Sequence, residues 1–126
     1  MADKDDEAEK TILYQSTVGQ RLSKVRKPGT MFLVYQGRRI PIVSRITLGR
    51  DPGNAVVVED ILASRRHAVI QKVQDQYFIE DLASTNGTFV NGKPVPPGKY
   101  LRLHPQDIIL IGRTELSLQH LKQERT

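Results

Sequence analysis

The chain contains no cysteine and no tryptophan, and none of its apolar runs approaches the ~18 residues that a membrane-crossing helix requires. The missing cysteines exclude disulfides, thiolate metal ligands and cysteine nucleophiles together. Aromatic residues are scarce, four Tyr and three Phe, which is thin for a surface that stacks exposed bases. The opening Met1-Ala2-Asp3-Lys4-Asp5-Asp6-Glu7 is acidic and has no apolar core, unlike a secretory signal, so the expected compartment is the cytoplasm. What is present suffices for one core: 126 residues, 38% of them hydrophobic, the size of a single domain with a tail. Nineteen Lys and Arg stand against 14 Asp and Glu, for a net charge of +5. That balance favours anionic partners, whether nucleic acid, phosphorylated protein or a membrane surface.

Charge divides the chain before periodicity does. Five acids and two lysines occupy residues 1–10, and Arg21, Lys24, Arg26 and Lys27 then reverse the sign ahead of Pro28-Gly29. Only Ile12-Leu13-Tyr14 forms an apolar island between them. Residues 1–29 therefore read as a flexible N-terminal arm, since so little apolar surface cannot offset the entropy of ordering it. A weak helix over 7–25 stays open.

From Thr30 the pattern is that of strands. Short apolar runs recur at Met31–Tyr35, Ile40–Val43, Ile46–Leu48, Ala55–Val58, Ala68–Ile70, Tyr77–Ile79, Thr88–Val90, Tyr100–Leu103, Ile108–Ile111 and Leu116–Leu118. Gly, Pro, Asn and Asp fill the gaps, as in Asp51-Pro52-Gly53-Asn54, Asn91-Gly92 and Pro96-Pro97-Gly98. Closely spaced short strands with such turns predict an all-β sandwich over residues 30–120, followed by a C-terminal tail at 121–126. Pro41 cannot donate to a ladder and marks an edge strand.

Several chemistries fail on inspection. Gly87-Thr88-Phe89-Val90-Asn91-Gly92-Lys93 begins like a phosphate-binding P-loop, but Pro94 stands where Ser or Thr would ligate magnesium, and the prolines that follow forbid the required helix. His67, His104 and His120 lack partners at metal-ligand spacing, so neither metal nor cofactor is expected. Ser64 and His67 lack a nucleophile elbow, which argues against hydrolysis and leaves no catalytic residue.

What remains is a set of polar loop residues between apolar strands: Gly49-Arg50, Ser64-Arg65-Arg66-His67, Ser84-Thr85-Asn86-Gly87-Thr88 and Asn91-Gly92. Loops held by a rigid sandwich are where binding concentrates. Arginine supplies forked donors, Ser and Thr supply hydroxyls, and Asn both donates to and accepts from a peptide backbone. Together they suit a tetrahedral oxyanion carried on a peptide.

In order and spacing, Gly49-Arg50-Asp51-Pro52, Ser64-Arg65-Arg66-His67-Ala68, the run Asp81 to Gly92 and the block Asp107 to Gly112 resemble a forkhead-associated (FHA) domain of the bacterial kind. The resemblance covers about residues 30–120. It implies an eleven-stranded β-sandwich whose loops at one end bind phosphothreonine peptides. By that resemblance Arg50 is the phosphate arginine, Ser64 a hydroxyl donor, Arg65 a second contact, and Thr85 a further contact to the phosphothreonine. Asn86 would bond the ligand's main chain, and Leu62 would face the third residue after the phosphothreonine. Gly49, His67, Gly87 and Gly92 are structural, His67 bracing the Ser64 loop from behind. One departure is visible: Gln106 stands where the family usually has glycine.

The implied function is a non-enzymatic phosphothreonine reader working downstream of a Ser/Thr protein kinase. The competing expectation is a phosphate-independent protein-interaction or nucleic-acid-binding module. No strand shows the aromatic–basic alternation that nucleic-acid binding favours. The arm reads first as an unmodified leader; against that, Thr11, or more weakly Thr17, is a candidate phosphorylation site through which it would become the domain's own ligand.

Overall fold

Alternation of apolar and polar residues produces eleven strands across residues 29–121, the part of the chain that the computed structural model describes. They are β1 (Thr30–Tyr35), β2 (Arg38–Pro41), β3 (Arg45–Gly49), β4 (Val56–Val57), β5 (Ala68–Val73), β6 (Gln76–Asp81), β7 (Thr88–Val90), β8 (Lys93–Pro94), β9 (Tyr100–Leu103), β10 (Ile108–Ile111) and β11 (Thr114–Leu121). The arm, the weak helix weighed for it, Thr11, Thr17 and the tail from residue 122 lie outside the described residues.

Two sheets form. One runs β8-β7-β10-β11-β1-β2 and the other β9-β6-β5-β3-β4. Every pairing is antiparallel except β3 with β4, where Leu48 faces Val56 and Gly49 faces Val57. The inward side chains of both sheets make one core that includes Leu33, Leu48, Ile70, Ile79, Ile109, Ile111 and Leu116. This is the β-sandwich that the sequence predicts. Pro41 ends β2, an edge strand, as its missing N–H requires.

Two details differ from the sequence reading. The second run, expected at Ile40–Val43, is β2 at Arg38–Pro41, because the two-residue turn at Gln36-Gly37 sets Tyr35 opposite Arg38. The two-residue β8 carries no apolar signal, with both residues exposed. Gln106 adopts a φ of 74°, the left-handed conformation that explains why glycine is usual there.

The two ends of the sandwich differ. Thr30 pairs with Leu121, so the chain enters and leaves the sandwich side by side at one end. At the other end lie the loop after β3, the loop before β5, the loop after β6 and the β10–β11 turn.

Candidate functional site

The loop end is assembled mostly by backbone pairing. The amide of Arg50 donates to the Ser64 carbonyl at 2.9 Å and that of Asp51 to the Arg65 carbonyl at 3.1 Å, which lays the two loops side by side. Their approach leaves no room at residue 49: a Cβ there would collide with the Arg65 carbonyl and stand 2.8 Å from Asn54 Nδ2. Asn54 is buried and secures the same corner, its Nδ2 donating to the carbonyls of Asp51 and Arg65 at 2.8 and 2.7 Å. Its Oδ1 is buried without a protein partner. Arg50 itself is exposed, and its Nε donates to the Ala63 carbonyl at 2.9 Å. Among the described residues this bond fixes the guanidinium while the terminal nitrogens keep donors for a ligand.

His67 joins the second loop to the third. It is fully buried; the Ser64 amide donates to Nδ1 at 2.9 Å, so the ring proton sits on Nε2 and is donated to the Gly87 carbonyl at 2.9 Å. One ring thus bonds the Ser64 amide on one side and the Gly87 carbonyl on the other. Ser64 Oγ accepts the Thr85 amide at 3.0 Å, which leaves the hydroxyl proton available outward.

Asp81 organises the third loop. Its carboxylate accepts the Ser84 amide at 3.0 Å and the hydroxyls of Ser84 and Thr88 at 2.6 Å each. Burial pushes its carboxyl up, but these hydrogen bonds outweigh burial and hold it below its ordinary value. Ser84 Oγ in turn accepts the Gly87 amide at 2.9 Å, closing the turn that presents Thr85 and Asn86, both exposed. Asn86 Nδ2 donates to the Leu62 carbonyl at 2.8 Å and so bridges the second and third loops.

A model of the FHA domain matches residues 46–112, which span all three loops. The chain belongs to the FHA-domain family. Among curated proteins this FHA chain is similar to the glycogen accumulation regulator GarA of Mycobacterium tuberculosis, 35% identical over 74 residues that are 54% of this chain and 46% of GarA. It spans less than half the length of the curated relatives it matches. Among solved structures it is similar to an FHA domain analysed for phosphothreonine-dependent interactions, with a TM-score of 0.66 and 29% identity over 71% of this chain and 95% of that one. It is also similar to M. tuberculosis EmbR in complex with a low-affinity phosphopeptide, with a TM-score of 0.69 and 28% identity over 78% of this chain and 26% of that one.

The FHA fold brings Gly49, Arg50, Leu62, Ser64, Arg65, His67, Thr85, Asn86 and Gly87 to one end. Asn91-Gly92 is not with them. It forms the β7–β8 turn at the far end of β7, both residues at positive φ, with Asn91 bonded to Asp107 and to the Ile108 amide. Leu62 is half-buried, whereas Ile61, which the sequence reading passed over, is 87% exposed at the tip of the same loop. Asn54 and Asp81 were also missed as organisers. Asp81 stood inside the recognised motif, but nothing in its spacing announced a buried carboxylate with three donors.

The loop end is a rim of donors. The apolar hollow of about 270 Å³ under Gln71, Val73, Phe78 and Tyr100 lies on the outer face of the five-stranded sheet. Among the described residues no three His, Asp or Glu side chains gather as metal ligands, and no helix is long and apolar enough to cross a membrane.

Proposed function

We propose that the rim reads phosphothreonine on a peptide. The observation that carries this is the way Arg50 and Ser64 are held. Each spends one group on the protein (Nε on Ala63, the oxygen lone pair on the Thr85 amide) and keeps outward donors for an oxyanion. Two neighbouring donors of that kind, one of them charged, match a phosphate better than any neutral ligand. Arg65 and Arg66 are exposed beside them and add positive field.

The roles follow from that centre. Arg50 and Ser64 bond the phosphate, with Arg65 and Thr85 as further contacts. Asn86, one of its amide donors already committed to Leu62, offers the rest of its amide to the peptide main chain. Leu62, together with the more exposed Ile61, provides an apolar wall beside the peptide. Gly49, His67 and Gly87 shape the rim, and Gly92 shapes a distant turn.

In this reading the chain is a binding module that acts on the products of a Ser/Thr protein kinase, with no chemistry of its own, in the cytoplasm. Residues 1–29 form its arm, residues 30–120 the recognition domain and 121–126 a tail. The arm enters at the end opposite the rim. From Thr30 back to Thr11 is 19 residues, on the order of 60 Å when extended, against ~26 Å for an eight-residue strand such as β11. That length is enough for a phosphorylated Thr11 to span the domain, and the arm would then be a second, internal source of ligand.

Arg50→Ala tests the centre. The variant is expected to lose about ten- to hundredfold in affinity for a phosphothreonine peptide, the worth of a charge-assisted bond, at an unchanged thermal midpoint. Lysine at the same position restores only part, because a point charge lacks the fork. Binding that survives Arg50→Ala intact, or that proceeds equally without phosphate, favours the phosphate-independent interaction module.

A further inference from the structure

Three consecutive residues carry the ligand-facing side chains of the rim. The Leu62 carbonyl holds Asn86, the Ala63 carbonyl holds Arg50, and Ser64 Oγ holds the amide of Thr85. Whatever fixes residues 62–64 therefore fixes the positions of all three. His67 holds Ser64, and Asp60 holds the two residues before it. Its Oδ1 accepts the Leu62 amide at 2.8 Å, and its main-chain carbonyl accepts the Ala63 amide at 2.9 Å, closing a tight turn with Ile61 at the tip.

The same carboxylate reaches the other sheet. Oδ2 accepts the Arg113 amide and the Thr114 hydroxyl, each at 2.8 Å, more than 50 residues away in the β10–β11 turn. A second feature shows how closely the two parts approach. Gly112 has a φ of 64°, and a Cβ added to it would stand 2.8 Å from Asp60 Oδ2, so the turn is shaped to admit the carboxylate. Hydrogen bonds from the Leu62 amide, the Thr114 hydroxyl and the Arg113 amide, in that order, hold the carboxyl below its ordinary value and keep it an acceptor.

We propose that Asp60 is a positioning residue for phosphopeptide binding: it locks the 61–64 wall to the β10–β11 turn of the opposite sheet and thereby sets where Arg50, Thr85 and Asn86 meet the ligand. Asp60 touches no ligand itself. This rests on the phosphothreonine reading of the rim, and the test separates the two.

Asp60→Asn is the informative change. Its Oδ1 can still accept the Leu62 amide and keep the turn, but its NH₂ then opposes the Arg113 amide, so that bond is lost and the Thr114 hydroxyl must turn round to accept. Thr114→Val removes one bond of the lock and leaves Asp60 in place. The probe is a fluorescein-labelled degenerate peptide pool with a fixed central phosphothreonine, titrated well below each variant's thermal midpoint. The Asn86 side-chain amide and Arg50 Nε–H resonances of the free protein are recorded alongside.

Asp60→Asn is expected to weaken pool binding roughly tenfold and to shift both resonances, with Thr114→Val giving the same effects at about half the size on a logarithmic scale. A purely structural Asp60 would lower the thermal midpoint and leave both the affinity and the resonances of the folded protein at wild-type values; that outcome overturns the proposal. Should the wild-type protein itself ignore the pool, the reading of the rim fails, and the resonances alone decide for or against Asp60. Should Asp60→Asn not fold, Thr114→Val decides by the same criteria.

Discussion

Replacing His67 by alanine probes the part of the site that the fold holds most tightly. The imidazole has no exposed surface and makes two hydrogen bonds of 2.9 Å, from the Ser64 amide and to the Gly87 carbonyl. Alanine leaves both the Ser64 amide and the Gly87 carbonyl without the ring they bond, and each half-buried backbone group so orphaned costs about 1–3 kcal/mol. A water entering the vacated space recovers part of this, while the space itself adds a packing loss, which sets the expected destabilisation at about 3–5 kcal/mol. For a domain of 60–100 residues each kcal/mol lowers the thermal midpoint by about 4–8 °C, so calorimetry should show a fall of roughly 12–40 °C. Amide exchange at Ser64 should quicken more than at core positions such as Ile70. A fall below about 4 °C, with the Ser64 amide still protected, would refute the claim that His67 ties the loops together.

Other outcomes follow from the same contacts. Gly49→Ala should destabilise by about 1–3 kcal/mol, because its Cβ meets backbone that cannot yield; a denaturant melt measures it. Asp81 and Asp60 both have carboxyls held below the ordinary 3.8, so the stability they contribute is fully present above that value and is lost as pH falls through their lowered folded values. The share of the stability these two carboxylates supply should fall away below about pH 4, and Asp81→Asn should flatten that acid limb of the thermal midpoint. A matched phosphoserine peptide should bind about fourfold more weakly than its phosphothreonine form if one methyl is buried, at ~0.8 kcal/mol, which parallel titrations resolve.

Local signals and long-range ones were unequally legible in the sequence. Apolar runs bounded by turn residues located ten of the eleven strands, since burial on one face forces alternation; β8, exposed at both residues, had nothing to alternate. The Asn91-Gly92 turn was readable for what it is, but not its place, because a turn sequence does not state which end of the sandwich it closes. Arg50, Ser64 and Asn86 stood out through the order of their motifs. Their supports did not. Asp60 meets Thr114 across 54 residues and Asn54 meets the Arg65 carbonyl across 11, contacts that depend on how two loops or two sheets pack and leave no local trace. Leu62 and Ile61 were likewise indistinguishable as neighbouring apolar residues until the turn at Asp60 pointed one inward and left the other at the tip.

The central claim is that phosphate on threonine is what the rim recognises. Titrating one threonine peptide with and without its phosphate against the same protein, at fixed ionic strength, tests it most directly. Two lost charge-assisted bonds at about 1.5–3 kcal/mol each predict that removing the phosphate weakens binding at least a hundredfold, with chemical shifts in the phosphorylated complex concentrated at Arg50, Ser64, Thr85 and Asn86. Equal affinity for the two forms, or shifts confined to another face of the sandwich, would contradict it.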